Sequence, residues 1–153
     1  MSSRVARFLV WTRLFVADEE PPVEPYEEPR PLTEREREVL AFMLTADLPG
    51  IEELREQAQT AVAARWGPRD PSFSLYVNQE GTRPSPLRTR PAIFSWSKRQ
   101  GENELYSLML WVDGDGWLSA VELTPFHEEW PEELLPPSEF ETPGAHEPGS
   151  REP

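Results

Sequence analysis

The chain has 153 residues, 28 acidic and 15 basic, which gives a formal net charge of −13 at pH 7. Proteins bind phosphate backbones through Lys and Arg side chains that release counterions, so this charge argues against nucleic-acid binding. The sequence has no Cys, which excludes disulfide scaffolds, thiolate metal sites and cysteine nucleophiles and favours a reducing, cytoplasmic location.

The first 30 residues are predicted to lie outside the core. Residues 1–17 are apolar and basic, but Arg7 and Arg13 interrupt the apolar run. The run is therefore too short for a signal peptide or a membrane span, and we expect either an additional strand or an extension translated from a misassigned start. The acidic, Pro-rich stretch up to residue 30 is typical of a linker.

Two helices are predicted next. Thr33 and Glu36 have the spacing of a capping box, in which each side chain binds the backbone amide of the other residue. The first helix is predicted over 33–47, with apolar residues at helical spacing. The second is predicted from Ile51 through Val62, with Arg65 near its C-terminal end and a stop at Gly67-Pro68.

Alternating apolar residues predict strands after Pro71. Phe73, Leu75 and Val77 alternate with polar residues in the sequence SFSLYVN, which is typical of a half-buried strand. A further strand is predicted from Ala92 to Ser97.

Residues 111–123, WVDGDGWLSAVEL, allow two interpretations. If Gly116 is the central glycine of a calcium loop, Asp113, Asp115 and Glu122 occupy ligand positions, but the first ligand position is Trp111, which cannot bind metal. The alternative is a hairpin in which an Asp-Gly turn joins two strands. We favour the hairpin and keep the three acids as weak metal candidates. Because the first strand is apolar on both faces, we place this hairpin in the middle of the sheet.

These elements predict an α+β fold with two N-terminal helices packed on an antiparallel sheet of about four strands. The core domain is predicted over residues 31–135. Residues 136–153, rich in Pro and Glu, are predicted to form a disordered tail.

One resemblance rests on the order of four segments: RPLTEREREVLAFMLTADLPGIEELREQA, DPSFSLYV, DGDGWLSAVEL and WPEELLPP. This order resembles a group of small uncharacterised actinobacterial proteins and covers about residues 30–137. The resemblance implies an α+β fold and no known activity. In that group a Gly- and Cys-rich segment precedes DPSFSLYV, whereas this chain has ARWGPRD, so no role of those cysteines is transferred.

No complete catalytic signature occurs, because the chain lacks GxSxG, HExxH and Gly-rich phosphate-loop patterns. The two His residues are His127, beside Glu128 and Glu129, and His146 in the predicted tail. His127 could act as a base with a tuned pKa, or it could be an ordinary surface histidine at the end of a strand. We favour the second interpretation. We therefore expect a protein that is not an enzyme and needs no cofactor.

Three functional hypotheses follow. The first is a non-catalytic acidic protein that covers the basic surface of a protein partner, as an immunity protein or antitoxin does. Its predicted contact residues are Asp113, Asp115, Glu128, Glu129 and Trp130. The second is an accessory subunit that uses Pro-rich arms in a larger assembly. The third is a small-ligand or metal-binding domain built on Asp113, Asp115, Glu122 and His127. Neither a nucleic acid nor a membrane is expected as a partner.

Overall fold

The first helix begins where the capping box predicts. In this computed structural model, which describes residues 26–87, 91–98, 106–126 and 130–145, helix α1 spans Glu34–Met43. The Glu36 amide donates to the Thr33 hydroxyl at 3.1 Å, and the Thr33 amide donates to the Glu36 carboxylate at 2.9 Å. The capping box is therefore confirmed. Arg30 also binds the buried Glu36 carboxylate, which fixes the chain that enters the helix.

Helix α2 spans Ile51–Ala58 and is preceded by a glycine at its N-cap position, Gly50. Gly50 has a φ of 94°, a conformation that side chains with a Cβ rarely adopt. Its carbonyl accepts a hydrogen bond from the Ser85 hydroxyl at 2.7 Å. A Cβ added at Gly50 would lie 2.6 Å from that hydroxyl, so the position excludes a larger residue for two reasons.

The prediction that the second helix continues through Val62 is wrong. The helix ends at Ala58, and strand β2 occupies Val62–Gly67. This stretch pairs antiparallel with strand β3, Asp70–Tyr76, through partners such as Ala63 and Leu75. Ala and Arg favour helices, but the tertiary pairing with β3 overrides that weak preference.

The predicted α+β fold with a sheet of about four strands is also wrong. Six antiparallel strands form one sheet, and more of the described residues lie in strands than in helices. The additional strands are β2 and a two-residue β1, Arg30–Pro31. The remaining strands are β4, β5 and β6, at Ile93–Trp96, Tyr106–Val112 and Leu118–Pro125. The order across the sheet is β1-β2-β3-β6-β5-β4. Strands β5 and β6 form the predicted hairpin, and both are inner strands of the sheet.

The two faces of the sheet carry different side chains. One face packs with the two helices into the main core, which includes Leu54, Phe73, Leu110 and Val121. The opposite face has a separate cluster made of Trp66, Met109, Trp111 and Ala120. The β5 run is apolar on both faces because alternate residues of the strand enter different clusters.

Residues 136–145 lie along strand β4, although the sequence analysis assigned them to a tail. Phe94 and Gly144 exchange two backbone hydrogen bonds, at 2.7 and 3.0 Å. Phe140 is 2% exposed and belongs to the main core. Glu141 lies between Phe140 and Gly144 in the chain, and its amide donates to the Trp96 carbonyl at 2.8 Å. This part of the Pro-rich C-terminal region therefore completes the edge of the sheet.

Gln57 joins helix α2 to the β5–β6 hairpin. Its side chain is fully buried, and its amide nitrogen donates to the carbonyls of Arg83 and Gly116 at 2.9 and 3.0 Å. Its amide oxygen accepts from the Leu118 amide at 2.7 Å. One side chain therefore satisfies three backbone groups, one in the loop at Arg83 and two in the β5–β6 hairpin.

We predict that Gln57→Leu lowers the free energy of unfolding by about 3 kcal/mol, because a Leu of similar size leaves the Leu118 amide without its acceptor. Denaturant unfolding measures this change. The matched control is Gln59→Leu, which alters an exposed residue that follows the same helix. Equal stabilities of the two variants would contradict the structural role of Gln57.

We also predict that Gly50→Ala lowers the free energy of unfolding by about 1–3 kcal/mol, because Ala is strained at positive φ and its Cβ displaces the Ser85 hydroxyl. Gly144→Ala is the control, since a Cβ there meets no atom within 4 Å. Thermal melts of both variants test the prediction, and a loss at Gly144 as large as that at Gly50 would refute it.

Candidate functional site

The Asp-Gly segment forms the hairpin turn that the second interpretation of the sequence predicts. The Asp113 carboxylate accepts from the amides of Asp115 and Trp117 at 2.9 and 3.0 Å, both on the same oxygen. Gly116 supplies the required positive φ of 95°. The Asp113 amide donates to the Trp117 carbonyl at 2.9 Å, which closes the turn. Asp113 therefore has a structural role, whereas Asp115 is exposed.

The structure does not bring the three weak metal candidates together. Glu122 lies on β6 opposite Met109, four residues beyond Leu118, which places it about 13 Å along the strand from the turn. Its buried carboxylate accepts from the Trp111 indole nitrogen at 3.1 Å and from the Thr124 hydroxyl at 3.3 Å. Within the described ranges, no group of three Asp, Glu, His or Cys residues could hold a metal ion.

Acidic residues of helix α2 lie at the same end of the sheet as the hairpin turn. Gln57 contacts both Arg83 and Gly116, so Glu53 and Glu56, which also contact Arg83, belong to the helix that is bonded to the turn. Arg83 forms a two-bond contact with Glu56 at 2.8 and 3.2 Å and lies 3.8 Å from Glu53. We call Glu53, Glu56, Arg83, Asp113 and Asp115 the turn-end patch. It holds four carboxylates and one guanidinium.

The ion pair in this patch affects the titration of both partners. The hydrogen bond from Arg83 lowers the pKa of Glu56, and the same hydrogen bond raises the pKa of Arg83. Glu56 therefore stays ionised at a lower pH than an unpaired Glu. Any stability that the pair adds is complete at neutral pH and is lost as the pH falls through the lowered pKa. Because the pair is exposed, that contribution is small.

The other predicted contact residues are not part of this patch. Glu128 and Glu129 lie outside the described residues, as do His127 and His146. Trp130 is half-buried and follows the end of β6 that is opposite the hairpin turn. Of the five predicted contact residues, the structure brings together Asp113 and Asp115.

A groove between the two helices is a second candidate site, which sequence reasoning missed. Its volume is about 450 Å³. The lining comprises six apolar residues, two Arg, one Thr and one Gln: Leu32, Arg37, Leu40, Ala41, Leu44, Thr45, Arg55, Ala58, Gln59 and Ala61. The sequence analysis placed Ala61 inside the second helix and so did not predict the groove. In the structure the helix ends at Ala58, and the turn that follows brings Ala61 to the wall of the groove.

Each arginine of the groove is held by a backbone carbonyl of another lining residue. Arg37 donates to the Leu32 carbonyl at 2.9 Å, and Arg55 donates to the Leu44 carbonyl at 2.9 Å. Arg55 also pairs with Glu52 at 2.9 Å, whereas Arg37 has no ion pair among the described residues. A guanidinium has five N–H donors, so both arginines keep donors for a further acceptor.

The chain was compared with protein-family models, with curated proteins and with solved structures, and none of them matches it. The resemblance to the actinobacterial group thus stays an expectation from the sequence. In the portion of the chain that the structure describes, neither helix has the length and apolar character needed to cross a membrane.

We predict that Asp113→Ala lowers the free energy of unfolding by about 1 kcal/mol, because two turn amides lose their acceptor. Asp115→Ala is the matched control and should stay within about 0.5 kcal/mol of the unaltered protein. Denaturant unfolding compares the two variants.

We further predict that neither calcium nor a chelator changes the melting temperature, because Glu122 lies far from the turn acids. A ligand that binds the folded state alone must raise that temperature. A calcium-dependent rise that disappears in Asp113→Ala would restore the metal interpretation.

Proposed function

We propose that this protein is a non-catalytic binding protein whose turn-end patch contacts a basic protein partner. The observation that carries the proposal is the arrangement of carboxylates around the Gln57 side chain. Glu53 and Glu56 are on a helix that Gln57 fastens to the hairpin, and Asp115 is an exposed residue of the hairpin turn. A partner would therefore meet acids whose backbone positions are already fixed, which reduces the ordering that binding requires.

One carboxylate of the patch already binds a guanidinium. Arg83 contacts Glu56 through two hydrogen bonds, which is the geometry that makes arginine-carboxylate pairs specific. Asp115 has no ion pair in the described parts of the chain, and one oxygen of Asp113 accepts both turn amides. The second oxygen of Asp113 is available to a cation from outside. Complementary charge of this kind accelerates association and selects the partner.

An immunity-like or antitoxin-like role is the finer form of this proposal. A toxin that acts on nucleic acid has a basic surface, and carboxylates can occupy the positions where phosphates would bind. The net charge of −13 supports such a role. The described ranges contain no His, the commonest general base, and no Cys nucleophile.

The accessory-subunit hypothesis has less support from the fold. It requires the Pro-rich regions to be available as arms. Residues 136–145 instead pair with β4 and bury Phe140, so they belong to the sheet.

The proposal is tested with a double variant, Glu53→Gln with Asp115→Asn, which removes two charges from the patch. It leaves the Glu56–Arg83 pair and the Asp113 turn intact. The unaltered protein is used to capture partners from an extract of its own cells at low salt, and the captured protein is then purified for binding measurements. We expect a basic partner whose affinity falls with salt and falls by about tenfold in the double variant.

The control variant is Glu132→Gln with Glu141→Gln, which removes the same charge from two exposed residues of the C-terminal segment. It should keep nearly the full affinity. The proposal fails if no basic partner is captured, if binding does not respond to salt, or if both variants lose affinity equally.

A further inference from the structure

We infer that the groove between helices α1 and α2 binds a small monocarboxylate with an apolar body, such as a medium-chain fatty acid. This inference does not depend on the proposed function, because the groove shares no residue with the turn-end patch. Every lining residue belongs to the described part of the chain. The site is therefore argued from its floor, its charges and its size.

The floor of the groove is apolar and well supported. Leu40 comes from α1, Leu44 follows the end of that helix, and Ala58 comes from α2. Leu32 and Ala61 come from the chain on either side of the two helices. Leu40 and Leu44 are buried members of the main core, so the floor keeps its shape when the groove is empty. Small side chains at Ala41, Ala58 and Ala61 leave the space open. Apolar ligand atoms placed here would be removed from water, which is favourable.

The charges of the groove are opposite to those of the whole protein. None of its ten lining residues is acidic, although the chain has 28 acidic and 15 basic residues. The two charged residues are Arg37 and Arg55, and each is fixed by a carbonyl within the lining. A fixed guanidinium next to an apolar surface can form charge-assisted hydrogen bonds to a carboxylate. An anion with an apolar chain fits this combination, and a cation does not.

The size of the groove favours a small molecule. Ligand pockets commonly have volumes of about 300–1,000 Å³, with mostly apolar linings and a few polar groups that orient the ligand. A groove of about 450 Å³ with two arginines, Thr45 and Gln59 at its polar positions meets that description. We assign the carboxylate to Arg37, because Arg37 forms no ion pair among the described residues while Arg55 already pairs with Glu52.

The experiment uses sodium decanoate as the probe and decyltrimethylammonium as a matched cation with the same chain, both below their micelle-forming concentrations. Titration calorimetry measures binding to the full chain, and thermal melts measure stabilisation. We expect decanoate to bind and to raise the melting temperature, since it binds the folded state. Arg37→Gln should weaken binding by about tenfold, and Arg37→Lys should weaken it less because the charge remains.

Arg69→Gln is the control, because it removes the same charge from an exposed residue in the turn between β2 and β3. It should bind decanoate like the unaltered protein. If Arg37→Gln is unfolded by circular dichroism, Ala41→Trp replaces it, since a bulky side chain at this exposed helix position fills the groove and should abolish binding. The inference is overturned if decanoate does not bind, if the cation binds equally well, or if neither groove variant differs from Arg69→Gln.

Discussion

The buried amide of Gln57 is the interaction on which the arrangement of the other elements depends. Helix α2 has eight residues, too few to be stable alone in water, so its position must come from tertiary contacts. Leu54 supplies apolar contact with the core. Gln57 fixes the orientation of the helix, because its donors and acceptor bind particular backbone groups near the hairpin turn. A buried polar side chain of this kind is favourable when every one of its groups is satisfied. This contact helps to position Glu53 and Glu56 of the turn-end patch and Ala58 of the interhelical groove, because all three are on α2.

The two faces of the sheet serve different purposes. On the helix side, aliphatic residues from five strands and both helices make one core. On the opposite side, Trp66 donates to the Ser74 hydroxyl at 2.9 Å, and Trp111 donates to Glu122. Indole rings in these positions combine large apolar contact with a satisfied N–H group. Glu122, which the sequence offers as a calcium ligand, is better understood as the acceptor that allows Trp111 to be buried.

The sequence was informative where one local pattern determines one structure. The Thr33–Glu36 capping box, the start of α2 after Gly50 and the Asp-Gly turn each depend on a few adjacent residues, and each is present in the structure. It was misleading at residues 59–67, where Ala and Arg suit a helix but pairing with β3 decides the outcome. Phe140 was missed because the surrounding Pro and Glu residues are typical of a tail, and its burial depends on a distant strand. The groove was not predicted either, because Ala61 reaches its wall only when the helix ends at Ala58, and the sequence analysis extended that helix through Val62.

The C-terminal segment has a consequence for how this protein behaves in a crowded cell. Strand β4 is the last full strand on its side of the sheet, and its outward amides and carbonyls would form a template for other extended chains. Glu141 bonds Trp96 and Gly144 bonds Phe94, and Glu139 bonds Lys98 just after the strand. The chain that supplies these bonds contains four prolines from 131 to 143, and proline cannot extend a hydrogen-bonded ladder. On the other side of the sheet, β1 is only two residues long. In the described residues, both borders of the sheet thus end in short or Pro-containing chain that is poorly suited to further pairing. The Pro- and Glu-rich composition therefore disfavours further strand pairing at the β4 edge and is also a part of the fold.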